Sequence, residues 1–447
     1  MTNSAHIVVR GRKQRPPGVS FIDCVIGNDV VLDFNRLQDF SARLLLDIEQ
    51  DLILLSGAVA FADRVVPRRR GSGWRRDLTL TLPVNAIAKW SSKSVYNALV
   101  DVLEFVTGDG WTFEFRGGAE LLSVPQSSIL VPSDEYVVIP SSEGLDSFLQ
   151  WQLLKKEQRP LRPLRIQTSS RSINKNRNRS LDVAGGRDDP RLSLPVSISV
   201  GNHPEQSYRT RTFLFFALAA LAAVKVGADK IVVGENGVGA IGPSLVPYGD
   251  ECPHRTTHPA FTRRLAHFIN VLLDAKIQFD HPQRFRTKGQ VLTEAIGVGV
   301  TGWEKTHSCV RDGRAGLGGR GCGTCSGCLL RRTSLLAAGQ SQDGFYWADL
   351  SASDLDGSRR DTCGRSANNN DIDIARHGIH AMSSLAALAI SSKRDEIIRR
   401  SAWELEQELG AKFDATVASI TSLVETHAQE WAALRQMYGS NGILNQQ

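Results

Sequence analysis

The sequence predicts an α/β protein with a mostly parallel, doubly wound sheet in its middle part. In residues 131–337, short apolar strand-like runs alternate with helix-periodic segments, which is the pattern of a parallel sheet covered by helices. The chain has 447 residues, 41% of them hydrophobic and 22% charged, an ordinary globular composition with room for two or three domains. An α+β segment precedes the sheet, and helical periodicity dominates the residues after it.

Composition also excludes several classes of protein. The longest apolar stretch, Phe213–Val224, is too short to span a bilayer, and the polar N-terminus lacks the pattern of a signal peptide. We therefore expect a cytoplasmic protein with no membrane partner. The net charge of +6 is compatible with anionic ligands such as nucleotides and leaves nucleic-acid binding open.

The elements in chain order suggest three domains: an α+β domain over 1–130, a sheet domain over 131–337 and a helical region over 338–447. The first domain is predicted to contain strands His6–Val9, Val19–Ile26, Leu78–Val84 and Trp111–Arg116 and helices Leu37–Ala58 and Ser94–Thr107. The second is predicted to contain strands Tyr136–Pro140, Leu164–Gln167, Val196–Val200 and Lys230–Val233 and helices Leu145–Lys156 and Arg211–Val226. After a polar loop over 338–376, helices are predicted at His380–Ile390, Lys393–Glu408 and Lys412–Tyr438.

A basic cluster occurs in the first domain, where Arg68, Arg69, Arg70, Arg75 and Arg76 surround Trp74. Two interpretations are open. The cluster is either a solvated loop between strands, which is the usual place of a charge run, or a contact for RNA or phosphate.

The turn between a predicted strand and the helix starting near Leu145 is a candidate phosphate site. It reads Ser141, Ser142, Glu143, Gly144, Leu145, Asp146 and Ser147. Small residues at a strand-to-helix turn leave backbone N–H groups to cradle a phosphate, and the helix dipole favours an anion there. Asp146 has two interpretations, as a ligand that holds Mg²⁺ on the phosphates or as an ordinary helix cap.

Four of the seven cysteines form a metal-binding pattern. Cys309, Cys322, Cys325 and Cys328 have a C-x12-C-x2-C-x2-C spacing in a glycine-rich segment, which suits a closed tetrahedral Cys₄ zinc site. Four protein ligands leave no open position, so the zinc is expected to be structural. Cys24, Cys252 and Cys363 lack such spacing and are predicted to be packing or loop residues.

These two features, in this order, carry a resemblance to a known family. Residues 142–147 resemble the SGGxDS pyrophosphate loop of PP-loop ATPases, with Glu143 in place of the first glycine. Arg211-Thr212, then Gly234-Glu235-Asn236, Thr287-Lys288 and the cysteine motif are similar to the 7-cyano-7-deazaguanine synthase (QueC) family. The resemblance covers about residues 135–335 and implies an adenine nucleotide alpha hydrolase-like fold.

The chain departs from that family in two respects. The family's YPDC-type segment is replaced by Arg255-Thr256-Thr257-His258-Pro259 and Phe261, and domains are added at both ends. This layout resembles the QueC-like proteins of bacterial anti-phage operons, namely QatC of Qat systems and the type IV CBASS counterpart. The resemblance implies a ligase that uses ATP and Mg²⁺ to adenylate 7-carboxy-7-deazaguanine and then forms an amide.

The resemblance also suggests roles for single residues. Asp146, Arg211 and Lys288 are the expected catalytic residues, with Arg211 and Lys288 meeting phosphate or carboxylate oxygens unless they form surface ion pairs. His258 is either a base or a helix cap. The expected acceptor is the N-terminal amine of a protein from the same operon. Four alternatives remain. The protein is a nitrile-forming synthase, a non-catalytic scaffold or a thiol-dependent RNA-modifying enzyme that uses Cys252, or its extra domains only make a homodimer.

Overall fold

The computed structural model describes residues 3–18, 20–33, 36–37, 44–68, 73–118, 135–142, 144–157, 162–167, 191–200, 204–249, 251–310, 321–342, 346–357 and 368–445. The chain divides into two compact units. The sheet unit comprises Met1–Ser142, Gln158–Val233 and Gly249–His281. The helical unit comprises Glu143–Glu157, Gly234–Tyr248 and Pro282–Gln447. The three-domain division 1–130, 131–337 and 338–447 stays a prediction beside this arrangement.

The strands all belong to the sheet unit, and the helices are shared between the two units. The strands are β1 (Asn3–Arg10), β2 (Ile22–Val25), β3 (Val30–Leu32), β4 (Arg76–Val84), β5 (Gly110–Gly117), β6 (Tyr136–Ser141), β7 (Arg162–Gln167), β8 (Arg191–Ser193), β9 (Val196–Ile198), β10 (Lys230–Val232) and β11 (Gln278–Asp280). The helices are α1 (Asp47–Val65), α2 (Ile87–Trp90), α3 (Lys93–Thr107), α4 (Leu145–Lys156), α5 (Arg211–Val226), α6 (Gly237–Ala240), α7 (Gly242–Leu245), α8 (Pro259–Leu273), α9 (Lys288–Gly297), α10 (Ser326–Ala337), α11 (Asn369–Leu388), α12 (Arg394–Leu409) and α13 (Phe413–Met437). A short 3₁₀ helix covers Trp303–Lys305.

Two parallel sheets confirm the predicted α/β class. The first has the strand order β2-β1-β4-β5, and all three of its pairings are parallel. The second has the order β11-β10-β6-β7-β8 and is also parallel throughout. Parallel strands need crossover connections, which are commonly helices. The described helices α1 and α3 follow strands in this way in the first part of the chain.

One predicted strand lies in a different place from the expected parallel sheet. The segment predicted as Val196–Val200 is β9, which pairs antiparallel with β3 in a separate two-stranded ribbon. The neighbouring strand β8 takes the edge position of the parallel sheet instead. Both strands have only three residues, too few for alternation to indicate which sheet they join.

Helix α5 forms the centre of the core of the sheet unit. Its apolar residues are buried on nearly every side, as expected for a helix that is hydrophobic all round. It packs against β6 and α1, and both helix boundaries match the predicted Arg211–Val226. Helix α1, by contrast, begins at Asp47 and runs to Val65, later than the predicted Leu37–Ala58.

Two arginines of the basic cluster, Arg68 and Arg76, fit neither of its two interpretations. Arg76 is fully buried, and its guanidinium lies 2.6 Å from carboxylates of both Asp63 and Asp109. Arg68 is also almost buried and forms a 2.6 Å ion pair with Asp109. Only Arg75 among the described arginines of the cluster is exposed, and Arg69 and Arg70 lie outside the described residues. Opposite charges from other parts of the chain therefore place two of the five arginines, Arg68 and Arg76, in an internal ion-pair network.

The helical unit contains α4, α6, α7 and α9–α13. Helices α11, α12 and α13 pack together around a second apolar core, which agrees with the predicted helical C-terminal region. Helix α11 begins earlier than expected, at Asn369 inside the predicted loop. Asn368 and Asp371 form a reciprocal capping box there, a start signal that the polar composition of the segment concealed. In the described part of the chain, no helix has the length and apolarity needed to cross a bilayer.

Candidate active site and metal centre

The turn predicted to hold phosphate has the expected local structure. Strand β6 ends at Ser141, Gly144 is the N-cap of α4, and Asp146 lies in the first helical turn. Leu145 is fully buried and anchors the helix start in an apolar cluster of the helical unit. The Ser147 hydroxyl donates to the Gly144 carbonyl at 3.2 Å. Ser142 is described, Glu143 lies outside the described residues, and the phosphate-binding role of the turn stays a prediction.

Asp146 and Lys288, which are distant in sequence, meet in an ion pair. The Lys288 ammonium lies 2.7 Å from Asp146 Oδ2, and the Lys288 residue is only 4% exposed. Asn236 donates from Nδ2 to Asp146 Oδ1 at 2.9 Å. Lys288 begins α9, where Thr287 and Gln290 form a capping box that fixes the helix start. The helix starts of α4 and α9 thus bring a carboxylate and a lysine together with an amide.

Glu235 adds a second carboxylate to this cluster. Its Oε1 accepts a 2.9 Å hydrogen bond from the same Asn236 Nδ2. Burial, reinforced by the negative charge of Asp146 and opposed by Lys288, raises the pKa of Glu235 to about 8. Close to neutral pH this carboxyl group therefore holds a proton that an exposed glutamate would release.

At Gly234, next to this cluster, the packing leaves no room for a side chain. A Cβ added to Gly234 would lie 2.7 Å from the Cβ of Gln150 and 3.0 Å from the carbonyl oxygen of Asp146. Gln150 in turn accepts a hydrogen bond from Gln283 at 3.1 Å. The segment that carries Glu235 and Asn236 is therefore held directly against α4.

The third predicted catalytic residue, Arg211, belongs to the sheet unit. It is the first residue of α5, and its exposed guanidinium lies 5.3 Å from the centre of the Phe215 ring. Its predicted contact with phosphate or carboxylate oxygens stays a prediction. Lys288, by contrast, is in a buried ion pair rather than the surface pair considered as an alternative.

Two other candidates have structural explanations. His258 is fully buried and is the N-cap of α8, where Nδ1 accepts from the backbone N–H of Ala260. Burial, together with Arg255, lowers the pKa of His258 to about 3, so the capping role accounts for it better than a base does. Burial raises the pKa of Cys252 above its usual value, which disfavours the thiolate that RNA thiolation requires.

The four cysteines of the predicted zinc motif lie together. Their sulfur atoms are all within 4.8 Å of one another, and the Cys322 and Cys328 sulfurs are 3.9 Å apart. Four sulfurs at about 2.3 Å from a tetrahedral zinc would be separated by about 3.8 Å, so the cluster fits the ion. Hydrogen bonds, first from Cys322, hold the pKa of the Cys309 thiol far below its usual value.

Local backbone structure explains this convergence. Cys325 is the N-cap of α10, and its sulfur accepts from the Cys328 backbone N–H at 3.4 Å. The Cys322 sulfur accepts in the same way from the Cys325 N–H at 3.3 Å. Gly327 lets the chain of Ser308 pass, because a Cβ there would lie 2.0 Å from the Ser308 carbonyl oxygen.

One region of the chain matches a known protein family. Residues 196–339 match the family model of queuosine biosynthesis protein QueC. The match includes Arg211, Gly234, Lys288 and the four cysteines, and the 141–147 turn precedes it. No solved structure gives a significant match.

Curated relatives of this region are 7-cyano-7-deazaguanine synthases. The Azoarcus sp. (strain BH72) protein is 28% identical over 177 residues, which is 38% of this chain and 71% of the relative. The Thermoplasma acidophilum protein is 28% identical over 147 residues, 33% of this chain and 54% of the relative. The Myxococcus xanthus protein is 31% identical over 163 residues, 35% of this chain and 62% of the relative. The chain thus spans between about half and seven tenths of these relatives.

Sequence reasoning missed several members of the cluster. Glu235 and Asn236 contribute only to the resemblance, and no pattern in the sequence points to Gln150 or Gln283. One signal was available: Gly234-Glu235-Asn236 directly follows a buried parallel strand, β10, where ligands of α/β proteins commonly bind. The partner of Lys288 could not be read from the sequence, because 142 positions separate it from Asp146.

Proposed function

We propose that this protein is an ATP-dependent ligase that adenylates 7-carboxy-7-deazaguanine and joins the activated carboxylate to an amine. The observation that carries the proposal is the Asp146–Lys288–Asn236 cluster at the first turn of α4. A lysine and a helix N-terminus at one place suit the triphosphate of ATP. The QueC match over residues 196–339 supports the deazaguanine substrate.

The chemistry explains why ATP is needed. A carboxylate is a poor electrophile, so one of its oxygens attacks the α-phosphorus of ATP and displaces pyrophosphate, which leaves an acyl-adenylate. The backbone N–H groups of Ser141, Ser142 and residues 144–147 would bind the departing phosphates, and Lys288 would neutralise their charge. Arg211 would contact phosphate or carboxylate oxygens. Asp146 is the carboxylate that would hold Mg²⁺, an ion that neutralises phosphate charge, and Glu235 would join it after giving up its proton.

Zinc has a structural role in this proposal. Cys309, Cys322, Cys325 and Cys328 would supply all four ligands and leave no position for substrate. The site would fix the start of α10, because Cys325 is its N-cap. The metal would therefore contribute folding free energy to the helical unit and take no part in the reaction.

The amine that completes the reaction is proposed to be the N-terminus of a partner protein from an anti-phage operon. It attacks the carbonyl carbon of the acyl-adenylate, loses a proton and expels AMP, which leaves an amide. An α-amine has a pKa near 7.7–8.0, so an appreciable fraction is neutral at pH 7, unlike lysine near 10.4. The domains predicted over 1–130 and 338–447 would dock the partner protein.

Replacing each of two buried lysines, Lys288 and Lys225, tests the adenylation step. Lys288→Met should reduce formation of AMP and pyrophosphate from ATP and 7-carboxy-7-deazaguanine by at least about 100-fold. Lys225→Met is the matched control, because Lys225 is equally buried and pairs with Glu49 at 2.8 Å in the sheet unit. Equal losses in both variants would contradict a catalytic role for Lys288. A wild-type protein without turnover would instead indicate a scaffold.

Intact-mass spectrometry tests the acceptor. A partner from the same operon, co-expressed with this protein, should gain the mass of a 7-amido-7-deazaguanine group on its N-terminus. Co-expression with the Lys288→Met variant is the control and should leave the mass unchanged. An unchanged partner, together with accumulation of free nitrile, would identify a nitrile-forming synthase and contradict protein conjugation.

A further inference from the structure

A buried carboxylate of the N-terminal part of the chain holds the residue that precedes Arg211. Asp63, at the end of α1, is completely buried. Its Oδ2 accepts from the Thr210 backbone N–H at 2.9 Å and from the Thr210 hydroxyl at 3.0 Å. Thr210 is the N-cap of α5, so these bonds fix the backbone from which Arg211 emerges.

A second set of contacts holds the segment just before Thr210. Glu205 accepts from the Arg68 backbone N–H at 2.8 Å and from the Ser207 N–H at 2.8 Å. The Arg68 guanidinium donates to the Ser207 hydroxyl at 2.7 Å. Two of these three bonds come from Arg68, which lies in the loop after α1 and close to Asp63. The third bond, from Ser207 to Glu205, lies within the segment.

The segment needs this support because its backbone is strained. Tyr208 has a φ of +40°, in the left-handed region that non-glycine residues rarely adopt. The Arg64 guanidinium lies 4.8 Å from the centre of the Tyr208 ring and covers it. A strained residue three positions before Arg211 persists only where its surroundings over-determine it.

The carboxylate of Asp63 is itself held in its charged form. Arg76 donates to Asp63 Oδ1 at 2.6 Å and is completely buried. Burial by itself would raise the pKa of Asp63, but Arg76 and Arg68 outweigh it and hold this pKa below its ordinary value. Asp63 therefore stays an acceptor for Thr210 throughout the neutral range.

We propose that Asp63 is a positioning residue for Arg211, which gives the N-terminal part of the chain a role in the reaction beyond packing. The inference rests on the proposed function, in which Arg211 contacts phosphate or carboxylate oxygens. It assigns to α1 the task of fixing the N-terminus of α5, so that the Arg211 guanidinium is presented in one place. Small displacements of a charged group cost large factors in rate.

A matched pair of aspartates separates positioning from stability. Asp51 lies on the same helix, is equally buried, and accepts from the Asn85 and Ala86 N–H groups, away from Thr210. At a temperature where all variants are folded, Asp63→Asn should lower kcat/KM for ATP by roughly 10- to 100-fold. Asp51→Asn should leave kcat/KM within about twofold. Equal losses in the two variants would overturn the proposal.

A double-mutant cycle gives the readout that a structural role would not change. If Asp63 acts through Arg211, Asp63→Asn should cost little once Arg211 has been replaced by alanine. Full additivity of the two losses would overturn the proposal.

If Asp63→Asn does not fold, Thr210→Val takes its place in the test, because it removes only the hydroxyl bond to Asp63. Thr210→Val should lower kcat/KM by roughly fivefold, whereas Thr210→Ser should keep the wild-type value. Unchanged kcat/KM in Thr210→Val would count against the proposal in the same way. Wild-type protein without turnover contradicts the proposed function, and this inference with it. Active wild type with unchanged Asp63→Asn contradicts this inference alone.

Discussion

Glu430 should make the stability of the helical unit depend on pH between about 4.5 and 7. This residue lies on α13, and its Oε1 accepts a 2.6 Å hydrogen bond from the Thr287 hydroxyl. Its Oε2 is buried and has no hydrogen-bond partner among the described residues. Burial raises the pKa of Glu430 to about 7 from an ordinary 4.5. We predict that replacing it with glutamine removes this dependence.

The size and sign of the effect depend on how proton binding by Glu430 differs between the folded and the unfolded protein. Moving a carboxyl pKa from 4.5 to about 7 corresponds to at most about 3 kcal/mol. The folded protein keeps a proton that the unfolded chain releases in this window, so its free energy of unfolding falls as pH rises. The loss is complete above about pH 7. Glutamine does not titrate and still accepts from Thr287.

Urea denaturation followed by circular dichroism at pH 5, 6, 7 and 8 measures the effect. The difference in unfolding free energy between Glu430→Gln and wild type should grow in favour of the variant as pH rises, by up to about 3 kcal/mol. Glu425→Gln is the control, because Glu425 is exposed on the same helix and pairs with Arg394 at 3.3 Å. Parallel pH curves for wild type and Glu430→Gln would refute the reasoning.

Two further predictions concern the metal centre and the buried ion-pair network. Wild-type protein should contain about one zinc per chain, and Cys325→Ser should lower both zinc content and the thermal midpoint, since the cluster contributes to folding; fully folded, zinc-free protein would be inconsistent with this. Arg76→Met should destabilise the sheet unit by about 3–5 kcal/mol, because it leaves two buried carboxylates without their main partner. Arg116→Met is the control at an exposed arginine and should change the free energy of unfolding by less than about 0.5 kcal/mol. Equal effects of Arg76→Met and Arg116→Met would contradict a stabilising role for the network.

Two helices of the predicted sheet domain have the bounds that the sequence predicts. Helices α4 and α5 begin and end at the predicted residues, since a run rich in apolar residues and a subsequent break define each of them locally. The three-residue strands β8 and β11 were missed, because so few residues show no alternation. Parallel pairing in the first sheet also depends on contacts across long crossovers that local patterns do not report.

The burial of charged residues could not be predicted from local sequence patterns. Both interpretations of the basic cluster place Arg76 at the surface, because its neighbours in sequence are arginines. Its burial depends on Asp63 and Asp109, which the chain brings to it from 13 and 33 positions away. The cysteine motif succeeded for the contrasting reason that three of its ligands lie within seven consecutive residues and converge through local turns.

The site was predicted in part for the same reasons. Asp146 follows from the turn and Lys288 from the resemblance, but their ion pair depends on how α4 and α9 pack in the helical unit. Glu235 has no sequence signal of its own, and its raised pKa arises from burial next to Asp146. Long-range packing, rather than local spacing, therefore assembles the cluster.

Transfer of an isotopic label tests the central claim most directly. Substrate labelled with oxygen-18 in its carboxylate is incubated with the protein, ATP and an amine acceptor, and the nucleotide product is analysed by mass spectrometry. An acyl-adenylate intermediate predicts that AMP carries one labelled oxygen, because the carboxylate oxygen stays with the phosphate when the amine attacks. Unlabelled AMP, or ADP as the nucleotide product, would contradict adenylation of the carboxylate by this protein.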